Sequence, residues 1–202
     1  LQAGLKGVLP EGIDVEFDAR YPAMFSYKAK NYALLTETGE LLIKGGALKS
    51  RGLEKFQRLF LERMIRLLLE DNAGGIAALR TEFEHKIRQR EFPIELLMKT
   101  DTLQDSLGQY ARKIQGASRN RASAYELALK SGRNFQPGDQ VSYYVTGVKK
   151  TVAVYENSKL ASDWDPAARD ENVEYYAAKL NDLVKKFAPF CETAKPAQIE
   201  LI

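Results

Sequence analysis

Residues 41–70 read LLIKGGALKSRGLEKFQRLFLERMIRLLLE, and the hydrophobic period changes once within that stretch. Up to Lys44 the residues are strand formers. Beyond Gly52, the apolar residues Phe56, Leu59, Phe60, Met64, Leu67 and Leu68 recur at spacings of three and four. Lys55, Arg58, Glu62, Arg63 and Arg66 fill the opposite face, so the pattern predicts an amphipathic helix with a basic outer side. Glycines 45, 46 and 52 punctuate the change. A boundary at this point divides the chain into a β-rich part, residues 1–52, and a mostly helical part, residues 53–202, an α+β arrangement by the layering of its elements.

Before the boundary, Ile13 to Phe17 alternates apolar and acidic residues, the period-2 mark of a half-buried strand, and Arg20-Tyr21-Pro22 ends it. Ala23 to Thr36 and Glu40 to Ile43 flank Glu37-Thr38-Gly39, which predicts a β-hairpin with glycine in its turn. After the boundary, Asn72-Ala73-Gly74-Gly75 ends the first helix, and a second is predicted from Ile76 to Gln89, closed by Phe92-Pro93. Shorter helices are expected at Asp105–Ile114 and Ser123–Leu129. A turn follows at Pro137-Gly138-Asp139, then a strand over Gln140–Gly147. A last helix is expected from Asn172 to Phe187, with Val173, Tyr176, Leu180, Leu183 and Val184 inward, and Pro189 and Pro196 leading into a tail.

The composition is 45% hydrophobic and 28% charged, ordinary material for a packed core. No apolar run approaches the roughly 20 residues that span a bilayer, so no membrane association is expected and the chain is read as cytoplasmic. Leu1-Gln2-Ala3-Gly4 carries neither an initiator Met nor a signal pattern, which suggests a piece of something longer. With one cysteine, Cys191, and one histidine, His85, a structural zinc site or a His-based triad lacks parts. His85 sits between Glu84 and Lys86 and is expected to be exposed; Cys191 is expected to fill space. Asp163-Trp164-Asp165 could supply paired carboxylates to metal ions, but no apolar strand delivers it, and a surface loop is the better reading. Asp14, Glu16 and Asp18 share one side of the predicted first strand, where a solvated edge explains them equally well. Gly45-Gly46 lacks the Lys and Ser/Thr offsets of a phosphate-binding loop. No catalytic residue and no metal site is expected in this span.

The net charge of +3 conceals three zones. Lys28 to Arg90 holds thirteen basic residues against eight acidic. Gln109 to Arg133 holds six, Arg112, Lys113, Arg119, Arg121, Lys130 and Arg133, against Glu126 alone. Glu156 to Asp182 is acidic by seven to three. Basic zones separated in sequence can fold into one stripe suited to a phosphate backbone, although solvated helix faces are the commoner outcome. Lys28-Ala29-Lys30-Asn31-Tyr32 lies on one predicted hairpin strand and is answered by Ile43-Lys44-Gly45, then Lys49-Ser50-Arg51. Lys30 and Tyr32, two apart on a strand, are expected to project from one face, where a lysine can donate to phosphate or to minor-groove acceptors without choosing a sequence.

The order of these motifs resembles the end of the palm and the start of the thumb in family B DNA polymerases. The likeness rests on the Lys-x-Tyr strand (Lys30, Tyr32), a return strand ending in Lys44-Gly45, the arginine element Ser50-Arg51-Gly52 and a long helix. It continues through Ile94 to Leu103, Gln109-Tyr110, Ser123 to Leu129, Gln136 to Val145, and Asp170-Glu171-Asn172-Val173-Glu174-Tyr175-Tyr176. Ser50-Arg51-Gly52 departs from the family, which more often has a second arginine and an acid there, and this suggests a divergent, bacterial branch. The resemblance implies a DNA-directed DNA polymerase as the parent protein, with Mg2+ held by palm aspartates outside this span and no cofactor bound by the fragment itself. It implies primer-template duplex DNA as partner, together with the remaining palm, fingers and exonuclease-type domains of the parent chain. Lys30, Tyr32, Lys44, Arg51, Arg119 and Arg121 become the expected DNA-binding residues. A free-standing nucleic-acid-binding accessory protein and a helical protein-interaction domain are the alternatives.

Overall fold

The computed structural model describes residues 19–49 and 52–192. The expected strand at 13–17, with Asp14, Glu16 and Asp18, lies outside the described residues, as do Arg51 and the tail beyond 192. The chain divides into two compact units, Leu1–Lys49 and Ser50–Ile202.

The first unit is an antiparallel meander of β1 (Ala23–Lys28), β2 (Asn31–Leu35) and β3 (Leu41–Lys44) in the order β1-β2-β3. The strand expected to run unbroken from Ala23 to Thr36 is therefore two strands, broken at Ala29-Lys30. The break has a local cause. The Asn31 side-chain amide donates to the Ala29 carbonyl (2.9 Å), and Lys30 adopts the left-handed conformation at φ 61°. Such short-range side-chain bonding favours a turn over a continued ladder. The expected turn at Glu37–Gly39 joins β2 to β3, with Gly39 at φ 80° and Thr36 Oγ1 accepting from the Glu40 N–H (2.9 Å). In this register Tyr32 pairs with Ser26 on one side and Lys44 on the other, while Ala33 is fully buried on the opposite face.

The second unit follows the expected helices closely. Helices α1 (Lys55–Leu69), α2 (Gly75–Arg88), α3 (Ile94–Leu97), α4 (Leu107–Gln115), α5 (Ser123–Ser131) and α6 (Val173–Glu192) accompany a sheet of β4 (Lys99–Thr102), β5 (Gln140–Val145) and β6 (Ser158–Leu160), antiparallel in the order β4-β5-β6. β4 and β6 had no signal of their own: Lys99-Thr100-Asp101-Thr102 is polar throughout, and pairing with β5 makes it a strand. The buried stripe of α1 is Phe56, Gln57, Phe60, Leu61, Met64 and Ile65, turned away from the expected Leu59, Leu67 and Leu68, which are half-buried. Gln57 can sit inside because its side chain donates to the Lys179 carbonyl (3.0 Å) and accepts the Glu54 N–H (3.2 Å). Helix α6 runs past its expected end to Glu192 and contains Pro189, which removes a single N–H from the ladder near the helix end.

Two apolar groupings stabilise this unit. Phe56, Phe60, Phe83, Phe92 and Tyr176 interlock edge-on or tilted where α1, α2 and α6 meet, with ring centroids 5.2–6.2 Å apart. Leu103, Tyr110, Tyr125, Leu127, Val141, Tyr143 and Leu160 form the second, between α4, α5 and the sheet. Tyr176 links the two regions: its hydroxyl donates to the Leu97 carbonyl (3.1 Å) and accepts the Val145 N–H (2.8 Å). Asn172, fully buried, caps α6 through the Tyr175 N–H (3.0 Å) and donates to the Thr146 and Lys149 carbonyls, which fixes the loop after β5. Among the described residues no helix is long and apolar enough to cross a membrane.

Candidate nucleic-acid interface

In the hairpin unit the lysines sit differently from their sequence spacing. Lys30 occupies the turn, not a strand, so it does not share a strand face with Tyr32. Tyr32 instead has Lys44 as its cross-strand neighbour, on the same face of the sheet. Gly45 is what lets the chain leave that point. It has φ 91°, and a Cβ there would lie 2.2 Å from the Lys30 carbonyl oxygen and 2.7 Å from the Asn31 Cα. The Asn31 side chain also accepts the Ala47 N–H (2.8 Å), so one residue ties the turn holding Lys30 to the loop following Lys44. Lys30 and Lys44 are exposed, and neither has a carboxylate partner among the described residues.

The helical unit holds its basic residues in two ways. Arg119, expected to grip phosphate, donates to Asp105 (2.7 Å) and lies over the faces of Tyr125 (4.6 Å) and Tyr110 (5.2 Å). Those rings are stacked, 4.3 Å apart and 12° from parallel. Their hydroxyls are engaged too. Tyr125 accepts the N–H groups of Gln104 and Asp105, and Tyr110 donates to Glu126 while accepting the Ala122 N–H. Lys113 completes the cluster on Asp105, and its hydrogen bond, helped by Arg119, holds the Asp105 carboxyl below its ordinary pKa. Arg121 is looser, 3.7 Å from Glu126, stacked over Tyr155 and about half exposed.

Other members of the basic zones are engaged likewise. Arg63 makes a two-pronged bond to Glu82, which also accepts from Lys86; these donors lower the Glu82 pKa from 4.5 to about 2. Arg88 contacts Glu84 and Glu174, and Arg133 contacts Asp163. The acidic segment is neutralised internally as well. Asp170 pairs with Lys159 and accepts from the Tyr144 hydroxyl, and Arg169 pairs with buried Glu171. His85 is exposed beside Glu91, and Cys191 donates to the Phe187 carbonyl.

A third cationic grouping was not legible as such. Lys55, Arg58 and Lys99 line an open cleft of about 350 Å³ with Gly52, Leu53, Met98, Thr100, Asp101 and Tyr143. Helix α1 supplies the first two cations and β4 the third. Lys55 and Arg58 stood out in the sequence only as part of a helix's outer face; nothing in the sequence pointed to Lys99. Among the described residues no group of three or more His, Cys, Asp or Glu side chains comes together as a metal site.

The model of DNA polymerase family B matches residues 5–189. The chain belongs to that family. Archaeal relatives named DNA polymerase include one from Thermococcus kodakarensis, 24% identical over 169 residues, which cover 83% of this chain and 10% of that protein. Another, from Pyrococcus glycovorans, is 23% identical over the same share of this chain and 21% of its own length. The family B polymerase structure from the hyperthermophilic archaeon Pyrobaculum calidifontis superposes with a TM-score of 0.64 at 19% identity, over 95% of this chain and 23% of that one. The family B segment described here thus spans about a tenth to a quarter of the proteins it matches. These relatives are archaeal and lend no support to the bacterial branch suggested by Ser50-Arg51-Gly52.

Proposed function

We propose that this family B segment is the C-terminal end of a palm, residues 1–52, joined to a thumb, residues 53–202, of a cytoplasmic DNA-directed DNA polymerase, and that it holds primer-template duplex. The supporting observation is the family match along residues 5–189 in a chain whose hairpin brings Lys44 beside Tyr32 and exposes Lys30 at the adjoining turn. Lys30 and Lys44 act on the backbone or the minor groove, where acceptors recur at similar positions in every correctly paired step, so geometry is checked without sequence being read. Tyr32 flanks Lys44 and restricts where its ammonium can go. Arg51 and the half-exposed Arg121 are secondary contacts. Arg119 serves to hold the Tyr110 and Tyr125 rings together. The catalytic aspartates and their Mg2+ belong to the remaining palm, which with fingers and exonuclease-type domains completes the parent enzyme; this span contributes grip, not chemistry.

Binding of the chain to a fluorescent 24-base-pair duplex, measured by anisotropy across a salt series, tests the reading. The affinity should fall steeply with salt, and Lys30→Ala or Lys44→Ala should each reduce the magnitude of the log K against log salt slope by about 0.9. Absence of salt-dependent duplex binding would overturn the proposal. Equal affinity for heparin and duplex would favour a protein-interaction role instead.

A further inference from the structure

We infer that the cleft between the first turn of α1 and strand β4 is a binding site for a phosphate oxyanion of a polynucleotide backbone, with Lys55 and Arg58 as its contacts; Lys99, which is ion-paired with Glu54, lines the same cleft. The inference rests on the duplex-holding reading and assigns it a place in the helical unit.

Eleven other cations of this unit form ion pairs with carboxylates, and Lys55 and Arg58 are among those that do not. No carboxylate pairs with Lys55 among the described residues. Arg58 donates through Nε and Nη2 to one neutral acceptor, the Leu53 carbonyl (3.2 and 3.1 Å), which orients the guanidinium while leaving its charge uncompensated. Lys99 differs. Its ammonium lies 3.1 Å from the Glu54 carboxylate, which is 2% exposed and also accepts from the Tyr175 hydroxyl (3.2 Å). Lys99 is thereby held in place, and the buried carboxylate behind it has its partners.

The β4–β5 side of the cleft is polar and already ordered. The Tyr143 hydroxyl, on the same sheet face as Lys99, donates to Asp101 (2.8 Å). The lining is polar and wide open, which suits an extended charged strand rather than an enclosed apolar ligand. The helix end itself is not the attractant, because Gln57 reaches back to the Glu54 N–H and occupies it. Asp101 is the one carboxylate lining the cleft, and it opposes an incoming anion.

That opposition gives the test two signs. In the duplex titration, Lys55→Ala and Arg58→Gln should each weaken binding and the double variant, which loses the one phosphate contact, should reduce the magnitude of the salt slope by about 0.9, while Asp101→Asn should tighten binding. Lys185→Ala, on the exposed side of α6, should bind as the unmodified chain does. Thermal melts of each variant separate lost folding from lost contact. Lys99→Ala is avoided, since it would strand the Glu54 charge. Duplex binding that responds to Lys30→Ala, yet is unaltered in Lys55→Ala, Arg58→Gln and Asp101→Asn, would overturn the cleft while leaving the hairpin reading intact; a chain with no duplex binding would overturn both. Free pyrophosphate offers the same chemistry. Perturbation of amide signals around Lys99 and Thr100 by millimolar pyrophosphate, with an unchanged duplex slope in the variants, would make the cleft a free-anion site and overturn the backbone assignment.

Discussion

Arg119 with Lys113, and Lys55 with Arg58, are two pairs of cations in one folded unit that composition alone would treat alike. The first pair closes on Asp105 and on the stacked Tyr110 and Tyr125. The second opens on a cleft with no carboxylate partner of its own. The difference lies in what stands across from each pair. Charge counted along a chain measures how many cations exist; only the fold determines how many remain available to a partner. The closed cluster has its charges met within the fold, and the open one is where the proposed backbone contact would fall.

The largest effect should come from breaking the closed cluster at its centre. Tyr125 is 3% exposed, stacks on Tyr110, supports Arg119 and accepts two backbone N–H groups. Replacing it with alanine leaves a cavity and strands both donors, so Tyr125→Ala should lower unfolding stability by about 3–5 kcal/mol in a urea titration. Lys55→Ala, on the open side, should change it by less than about 0.5 kcal/mol. Comparable losses in the two variants would erase the distinction.

Arg119→Ala is the intermediate case and the sharper one. It removes one hydrogen-bonded ion pair and two contacts with aromatic faces from a side chain about one-third exposed, and the expected loss is about 1–2 kcal/mol. The duplex salt slope should stay where it was. A stability unchanged from the parent, together with a slope reduced by about 0.9, would return Arg119 to the DNA interface.

The same contrast explains what the sequence could tell. Helices α1, α2 and α6 were legible because their apolar residues recur at the helical period, and the second hairpin because Gly39 marks its turn. β4 and β6 were not, since polar strands are made by their partner β5. The break at Lys30 falls in Lys28-Ala29-Lys30-Asn31, residues of weak strand preference, but its cause, one side-chain bond from Asn31 to Ala29, leaves no periodic trace. The hairpin cations were legible as residues but not as geometry: Tyr32 meets Lys44 through register, which spacing within one strand cannot reveal. The neighbours of Arg119 and Lys99 were hidden for a similar reason. Asp105 lies 14 positions from Arg119, and Lys99 lies more than 40 from Lys55, so neither relation leaves a periodic trace.

The smallest effect separates engaged from available cations by pH. Glu82 accepts from Arg63 and Lys86, and its pKa falls from 4.5 to about 2 on folding. A carboxyl whose pKa is depressed in the folded state stabilises above its unfolded value and loses that contribution as pH falls through the folded one. The difference in melting temperature between the parent chain and Glu82→Gln should therefore be full at pH 6 and shrink between about pH 4.5 and 2. Glu82 is about one-third exposed, so screening limits its worth to about 1 kcal/mol or less, and 1 M salt, with a screening length of about 3 Å, should shrink the difference at pH 6 as well. Lys55→Ala has no carboxylate partner to lose, and its melting difference from the parent should stay flat over the same pH range. A pH-dependent difference there would mean that the cleft cation is engaged after all, and the contrast between the two groups would fail.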